Sequence, residues 1–215
     1  MKKIESFTAT GEKITLPYLL TRPDDATVDE KLPMIVYLHG AGERGPDFEK
    51  LTVHGISKLF DKDQSYKNTR VITLSPQCPS TDIWSNFPGV IMELILHVAK
   101  QENVDMDRIS ITGLSMGGFG TWTMLARYPN FFSAGAPICG GGISWYINTE
   151  TPIRTFHGDA DNVVPIEYTY MTVDALRSRG GNVEMTIYHG VTHDCWTRAY
   201  EQTDLIPWLA NSRKG

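Results

Sequence analysis

The chain has 215 residues, enough for one well-buried domain and short for two, so 1–215 is read as a single domain. Hydrophobic residues make up 41% and charged residues 21%, the composition of an ordinary soluble globular protein. A formal net charge of -5 is mild and spread along the chain, which gives no reason to expect nucleic acid or an anionic membrane as a partner.

Lys2 and Lys3 are followed by no apolar stretch, so no signal peptide is expected, and no apolar run is long enough to span a bilayer. Cys78, Cys139 and Cys195 are sparse and lack metal-ligand spacing; they read as reduced thiols of a cytoplasmic protein. There is no dinucleotide fingerprint and no phosphate-cradling Lys motif, and neither a cofactor nor a metal is expected.

In chain order, Ile4 to Thr8 and Ile14 to Thr21 read as a hairpin at a sheet edge (residues 1–22), with Thr10-Gly11 as the turn. Pro33 opens the apolar run Met34 to Leu38, of the kind found in a central parallel strand. A helix over Thr52 to Phe60 follows, then the strand Val71 to Leu74. From Pro88 to Lys100 the spacing predicts a helix, with Val90, Ile91, Leu94, Ile95 and Val98 on one side and Pro at its permitted start. Ile109 to Thr112 is a strand, Phe119 to Arg127 a helix, and Phe132 to Ile138 contains another strand. Ile153 to His157 is a strand, Ile166 to Arg179 a helix closed by Gly180-Gly181, Val183 to Tyr188 the last strand, and Leu205 to Ala210 lies in a closing helix. Strands alternating with helices imply a doubly wound, mostly parallel α/β sheet with helices on both faces and ligands beyond the carboxyl ends of the strands.

The residues with chemistry fall at those ends. Gly113-Leu114-Ser115-Met116-Gly117 lies between a strand and a helix, where a tight turn lifts a Ser hydroxyl above the sheet edge. A Ser hydroxyl is a poor nucleophile at neutral pH and needs a base, which in turn needs an orienting acid. Asp159 and Asp161 both follow the strand ending at His157, and His193 lies in the loop after the strand ending at Tyr188. His54 and His97 sit on helices, and His39 and His157 end strands beside glycines as shaping residues.

Five stretches then occur in order: Leu38-His39-Gly40-Ala41-Gly42-Glu43-Arg44-Gly45, Ser75-Pro76-Gln77-Cys78-Pro79, Gly113 to Gly118, His157 to Pro165, and His193-Asp194-Cys195-Trp196. Together they resemble the α/β-hydrolase superfamily, within it the phospholipase/carboxylesterase and dienelactone hydrolase-like group, over roughly residues 33–210. The resemblance implies Ser115 as nucleophile, Asp161 (the Asp before Val-Pro) as acid with Asp159 holding the turn, and His193 as base. It implies an oxyanion hole from the Met116 and Ala41 amides, with Gly42 the other candidate donor.

Only Gly140 to Pro152 separates two strands, too little for a lid domain, so an open site is expected. Trp84, Trp145, Trp196 and Gly42 are candidate substrate-lining residues. Glu43 and Arg44 are expected to pair with each other at the surface, contact with a polar substrate being the other reading, and Cys195 to be structural. The expected function is a serine carboxylesterase acting on small or short-chain esters through an acyl-enzyme. Acyl-thioesterase or lysophospholipase, serine peptidase, acyltransferase and, last, a non-catalytic binding protein are the alternatives.

Overall fold

The computed structural model describes residues 1–10, 14–27, 29–63, 66 and 69–215; the expected turn residue Gly11 lies outside them. Eight strands form one sheet: β1 (Lys2–Thr8), β2 (Thr15–Thr21), β3 (Leu32–Leu38), β4 (Ile72–Pro76), β5 (Val104–Leu114), β6 (Ala134–Ile138), β7 (Ile153–Gly158) and β8 (Val183–Tyr188). Their order is β1-β2-β4-β3-β5-β6-β7-β8. β1 and β2 pair antiparallel, as do β2 and β4, and every other pair is parallel. The helices are α1 (Gly55–Lys62), α2 (Pro88–Gln101), α3 (Met116–Arg127), α4 (Glu167–Arg177), α5 (Trp196–Glu201) and α6 (Leu205–Asn211).

The two-residue period of a strand sends alternate side chains of β3 into two cores. Met34, Val36 and Leu38 face one core with Val90, Ile91, Leu94, Ile95 and Val98 of α2, Trp122 of α3, and Val173 and Leu176 of α4. Ile35 and Tyr37 face the other with Ile56, Leu59 and Phe60 of α1, Tyr200 of α5, and Leu205 and Leu209 of α6. All seven residues of β3 are buried, which is why it reads as an unbroken apolar run. Pro33 cannot donate to the ladder, and the pairing of β3 with β5 shifts register between Leu32 and Met34, on either side of it. Among the described residues, no helix is long and apolar enough to cross a membrane.

Beyond shifts at other element ends, three differences from expectation have a clear physical cause. α1 begins at Gly55 instead of Thr52, because the chain turns there with φ +61 and a Cβ would meet the Tyr37 hydroxyl at 2.4 Å. β5 starts at Val104, five residues before Ile109; its added stretch carries Asp105 and Asp107, which pair with Arg213, so no apolar run marks it. α5 was not anticipated: at six residues, with only Trp196, Ala199 and Tyr200 buried, it is too short to show a period.

Candidate active site

Ser115 joins β5 to α3 with φ +53 and ψ -118, a strained conformation for a residue with a side chain. Its amide donates to Ile138 O at 3.0 Å and to the Cys139 sulfur at 3.3 Å, which ties the turn to the end of β6. The turn closes only because Gly117 has no side chain: a Cβ there would lie 1.8 Å from Leu38 O. The hydroxyl is thereby held at the carboxyl edge of the sheet, half-buried.

The structure brings the three expected partners together from three separate strand ends. His193 Nε2 lies 2.9 Å from Ser115 Oγ, and its Nδ1 lies 2.7 Å from Asp161 Oδ2. Asp161 Oδ1 accepts the Val163 and Val164 amides, each at 2.9 Å, so the carboxylate acts as acceptor. That assigns the His193 proton to Nδ1 and leaves the Nε2 lone pair facing the Ser115 hydroxyl. Burial pushes the Asp161 carboxyl up, but the bonds from His193, Val164 and Val163 outweigh it and hold it below the usual carboxylate range.

Asp159, the other acid, is engaged elsewhere: it accepts from Gly190 N and from His189 Nδ1, both at 2.7 Å, and so braces the turn leading to His193. His39 is buried, accepts the Cys78 amide on Nε2 at 3.0 Å and donates from Nδ1 to Gly40 O at 2.6 Å. Burial lowers its pKa to about 4 against the smaller raising effect of the Gly40 bond, so it stays neutral and clamps two loops together.

Ala41 opens a 3-10 turn, Ala41–Glu43, and Met116 opens α3. The leading N–H groups of a helix have no intrahelical acceptor, so neither amide is taken up within its own helix. A Cβ on Gly40 would sit 3.7 Å from Ser115 Cβ, which puts this loop beside Ser115.

The surroundings correct two expectations. Trp84 is not a substrate wall: it is 1% exposed, its Nε1 donates to His39 O at 2.9 Å, and its ring packs edge-on against the His39 ring at 4.9 Å. Glu43 and Arg44 do not pair, because the 3-10 turn folds each back on the loop. Glu43 is buried and accepts the Gly40 amide at 2.7 Å; Arg44 donates to Ala41 O and Asp82 O, each at 3.1 Å. Trp196 is 8% exposed and stands edge-on to His193, 5.1 Å between ring centres, with His54 against it at 5.6 Å. Ala41 and Gly42 are exposed, and Trp145 is 66% exposed on the segment between β6 and β7. Cys195 is buried, with its thiol 3.8 Å from Phe156 O, as a structural residue.

Cys139, Asp161 and His193 offer ligand atoms within 4.8 Å of one another. Burial holds the Cys139 thiol protonated, and both nitrogens of His193 already serve Asp161 and Ser115, so the donor set fits a proton relay better than a metal. One neighbour was not foreseen: His157, read as a shaping residue, has Nε2 at 3.2 Å from Asp161 Oδ2. Only its position four residues before Asp161 hints at this.

Residues 70–204 match the model of the phospholipase/carboxylesterase family. Among curated proteins, acyl-protein thioesterase 1 homolog 1 of Dictyostelium discoideum is 30% identical over 199 residues, covering 74% of this chain and 82% of the relative. Probable acetylxylan esterase A of Aspergillus flavus is 27% identical over 156 residues, 70% of this chain and 50% of the relative. The chain thus spans about half the length of the acetylxylan esterases it matches. Among solved structures, a thermostable esterase superposes with a TM-score of 0.91 at 32% identity, over 99% of this chain and 63% of that one.

Proposed function

Since the chain belongs to the phospholipase/carboxylesterase family of α/β-hydrolases, we propose that it is a serine carboxylesterase hydrolysing small or short-chain carboxylic esters with Ser115, His193 and Asp161 as its triad. The observation that carries this reading is the unbroken relay from Ser115 Oγ through both nitrogens of His193 to the clamped Asp161 carboxylate. Ser115 Oγ attacks the ester carbonyl as its proton passes to His193 Nε2. The oxyanion is held by the Ala41 and Met116 amides, and Asp161 stabilises the imidazolium. The intermediate collapses with loss of the alcohol, which takes the proton from His193. A water, deprotonated by the freed base, then attacks the acyl-enzyme and releases the acid and Ser115.

A thioester reading shares these steps and is supported by the likeness to an acyl-protein thioesterase 1 homolog. Activity is tested with p-nitrophenyl acetate, butyrate and octanoate beside the matching acyl thioesters. The proposal expects Ser115→Ala to lose at least about 10⁴-fold in kcat and a fluorophosphonate to label Ser115 alone. Retained activity, or labelling elsewhere, would sink it. A preference for thioesters at every acyl length would favour the second reading.

A further inference from the structure

His157 lies one residue before the end of β7, with no exposed side-chain surface. A buried imidazole needs partners for both nitrogens. Nδ1 lies 2.7 Å from Thr169 Oγ1, itself 2.7 Å from Gly140 O, just past the Cys139 that accepts the nucleophile's amide. Nε2 lies 2.9 Å from Val164 O, a group that can only accept, so this nitrogen carries a proton. The same nitrogen is 3.2 Å from Asp161 Oδ2, the oxygen that receives the His193 proton. Val164 also sends its amide to Asp161 Oδ1.

We infer that His157 is a positioning residue of the hydrolytic site: it locks the 161–164 turn by donating to Val164 O, and it sets its ring edge 3.2 Å from the acid that orients His193. This rests on the triad proposed above. His157 touches neither substrate nor Ser115; it acts through Asp161. Two imidazoles from different strand ends thus approach one carboxylate oxygen, His193 hydrogen-bonded at 2.7 Å and 18% exposed, His157 at 3.2 Å and buried.

The consequence is electrostatic as well as mechanical. The Nε2–H dipole, bonded to Val164 O, lies beside Asp161 Oδ2, so the proposal expects its removal to leave the carboxylate more strongly attracting a proton on His193. The base then holds its proton to higher pH, and the acid limb of activity moves up. The other groups facing His193 are Ser115 on the elbow, the Cys139 sulfur after β6, Trp196 of α5 and, beyond that ring, His54 before α1. Asp194 turns away to cap Thr197. The hydrogen bonds of His157 go to Thr169 and Val164, not to any of these groups.

The test is kcat/KM for p-nitrophenyl acetate against pH, per site titrated with a fluorophosphonate, so that unfolded protein is not counted. His157→Phe should lower kcat by about tenfold or more with KM within about twofold, and raise the acid limb by about half a pH unit. His157→Gln, which keeps an N–H for Val164 O beside Asp161, should recover most of both. Thr169→Val covers the case in which the Phe variant does not fold; freeing the imidazole should move kcat and the limb in the same directions. A lowered kcat with an unmoved limb, or a Phe variant as active per site as the parent, overturns the inference. Both outcomes leave Ser115→Ala inactive, whereas failure of the triad itself would show as an active Ser115→Ala.

Discussion

Adding one methyl group at Gly117 tests whether the elbow is set by close backbone approach. In Gly117→Ala the Cβ would lie 1.8 Å from Leu38 O, 2.5 Å from Leu38 C and 2.8 Å from His39 O. Ordinary contact begins at 3.4 Å, so 1.6 Å must be found. All three atoms are backbone, and Leu38 belongs to a fully buried strand paired with Gly113 of β5, so no side chain can swing away. Overpacking of a well-packed core costs about 1–3 kcal/mol, and with backbone on both sides the upper end, about 3 kcal/mol, applies. For a chain of this size that lowers Tm by roughly 6–12 °C. Relief by sliding α3 would displace Ser115 from His193 Nε2 by more than an ångström and lower kcat by about 10²-fold. For melting, Gly42→Ala is the control, because nothing lies within 4 Å of its Cβ and its φ is ordinary. Thermal unfolding followed by circular dichroism, with esterase assays on the folded protein, reads both effects. If Gly117→Ala melted within about 2 °C of Gly42→Ala and kept full activity, the account of the elbow would be wrong.

Asp161→Asn should keep the Val163 and Val164 bonds on its carbonyl oxygen but turn its NH₂ toward His193. The base then takes the other tautomer, with a proton already on the nitrogen facing Ser115, and kcat should fall by about 10⁴-fold, as the handling of one proton dictates in Ser-His-Asp enzymes. A loss under about tenfold per titrated site would refute the assigned role. His39 sets a pH dependence of stability. Its folded pKa of about 4 lies below the ordinary 6.5, so the unfolded chain binds more protons between those values and stability falls as pH drops from 6.5 to about 4. The gap is worth about 3 kcal/mol. His39→Gln can still accept the Cys78 amide, and urea unfolding should show its loss between pH 7 and pH 4 to be smaller by about that amount. Equal losses in the two proteins would refute the buried neutral imidazole.

Much of this was legible locally. β3, α2 and the turn at Ser115 each follow from a period or a glycine pattern within a dozen residues, and Asp161 and His193 fall where an α/β sheet places its loops. A strand's two-residue period and a helix's apolar stripe are properties of neighbours in the chain, and sequence displays neighbours directly. What remained hidden depends on which distant atom arrives at a given point. Trp84 and Trp145 read alike as aromatic loop residues, yet one is buried against His39 and the other stands in solvent. Glu43 and Arg44, adjacent and opposite in charge, invite a pairing that the Gly40 amide pre-empts. His157 lies near its strand's end beside a glycine much as His39 does, and only the return of the chain from Asp161 to Val164 sets that imidazole against the acid. The sequence determined the order of elements and the residue types at their ends, because both are written in local pattern. The tertiary structure alone decided which polar atoms meet, because burial leaves each of them needing a partner that the packing of separate strands must deliver.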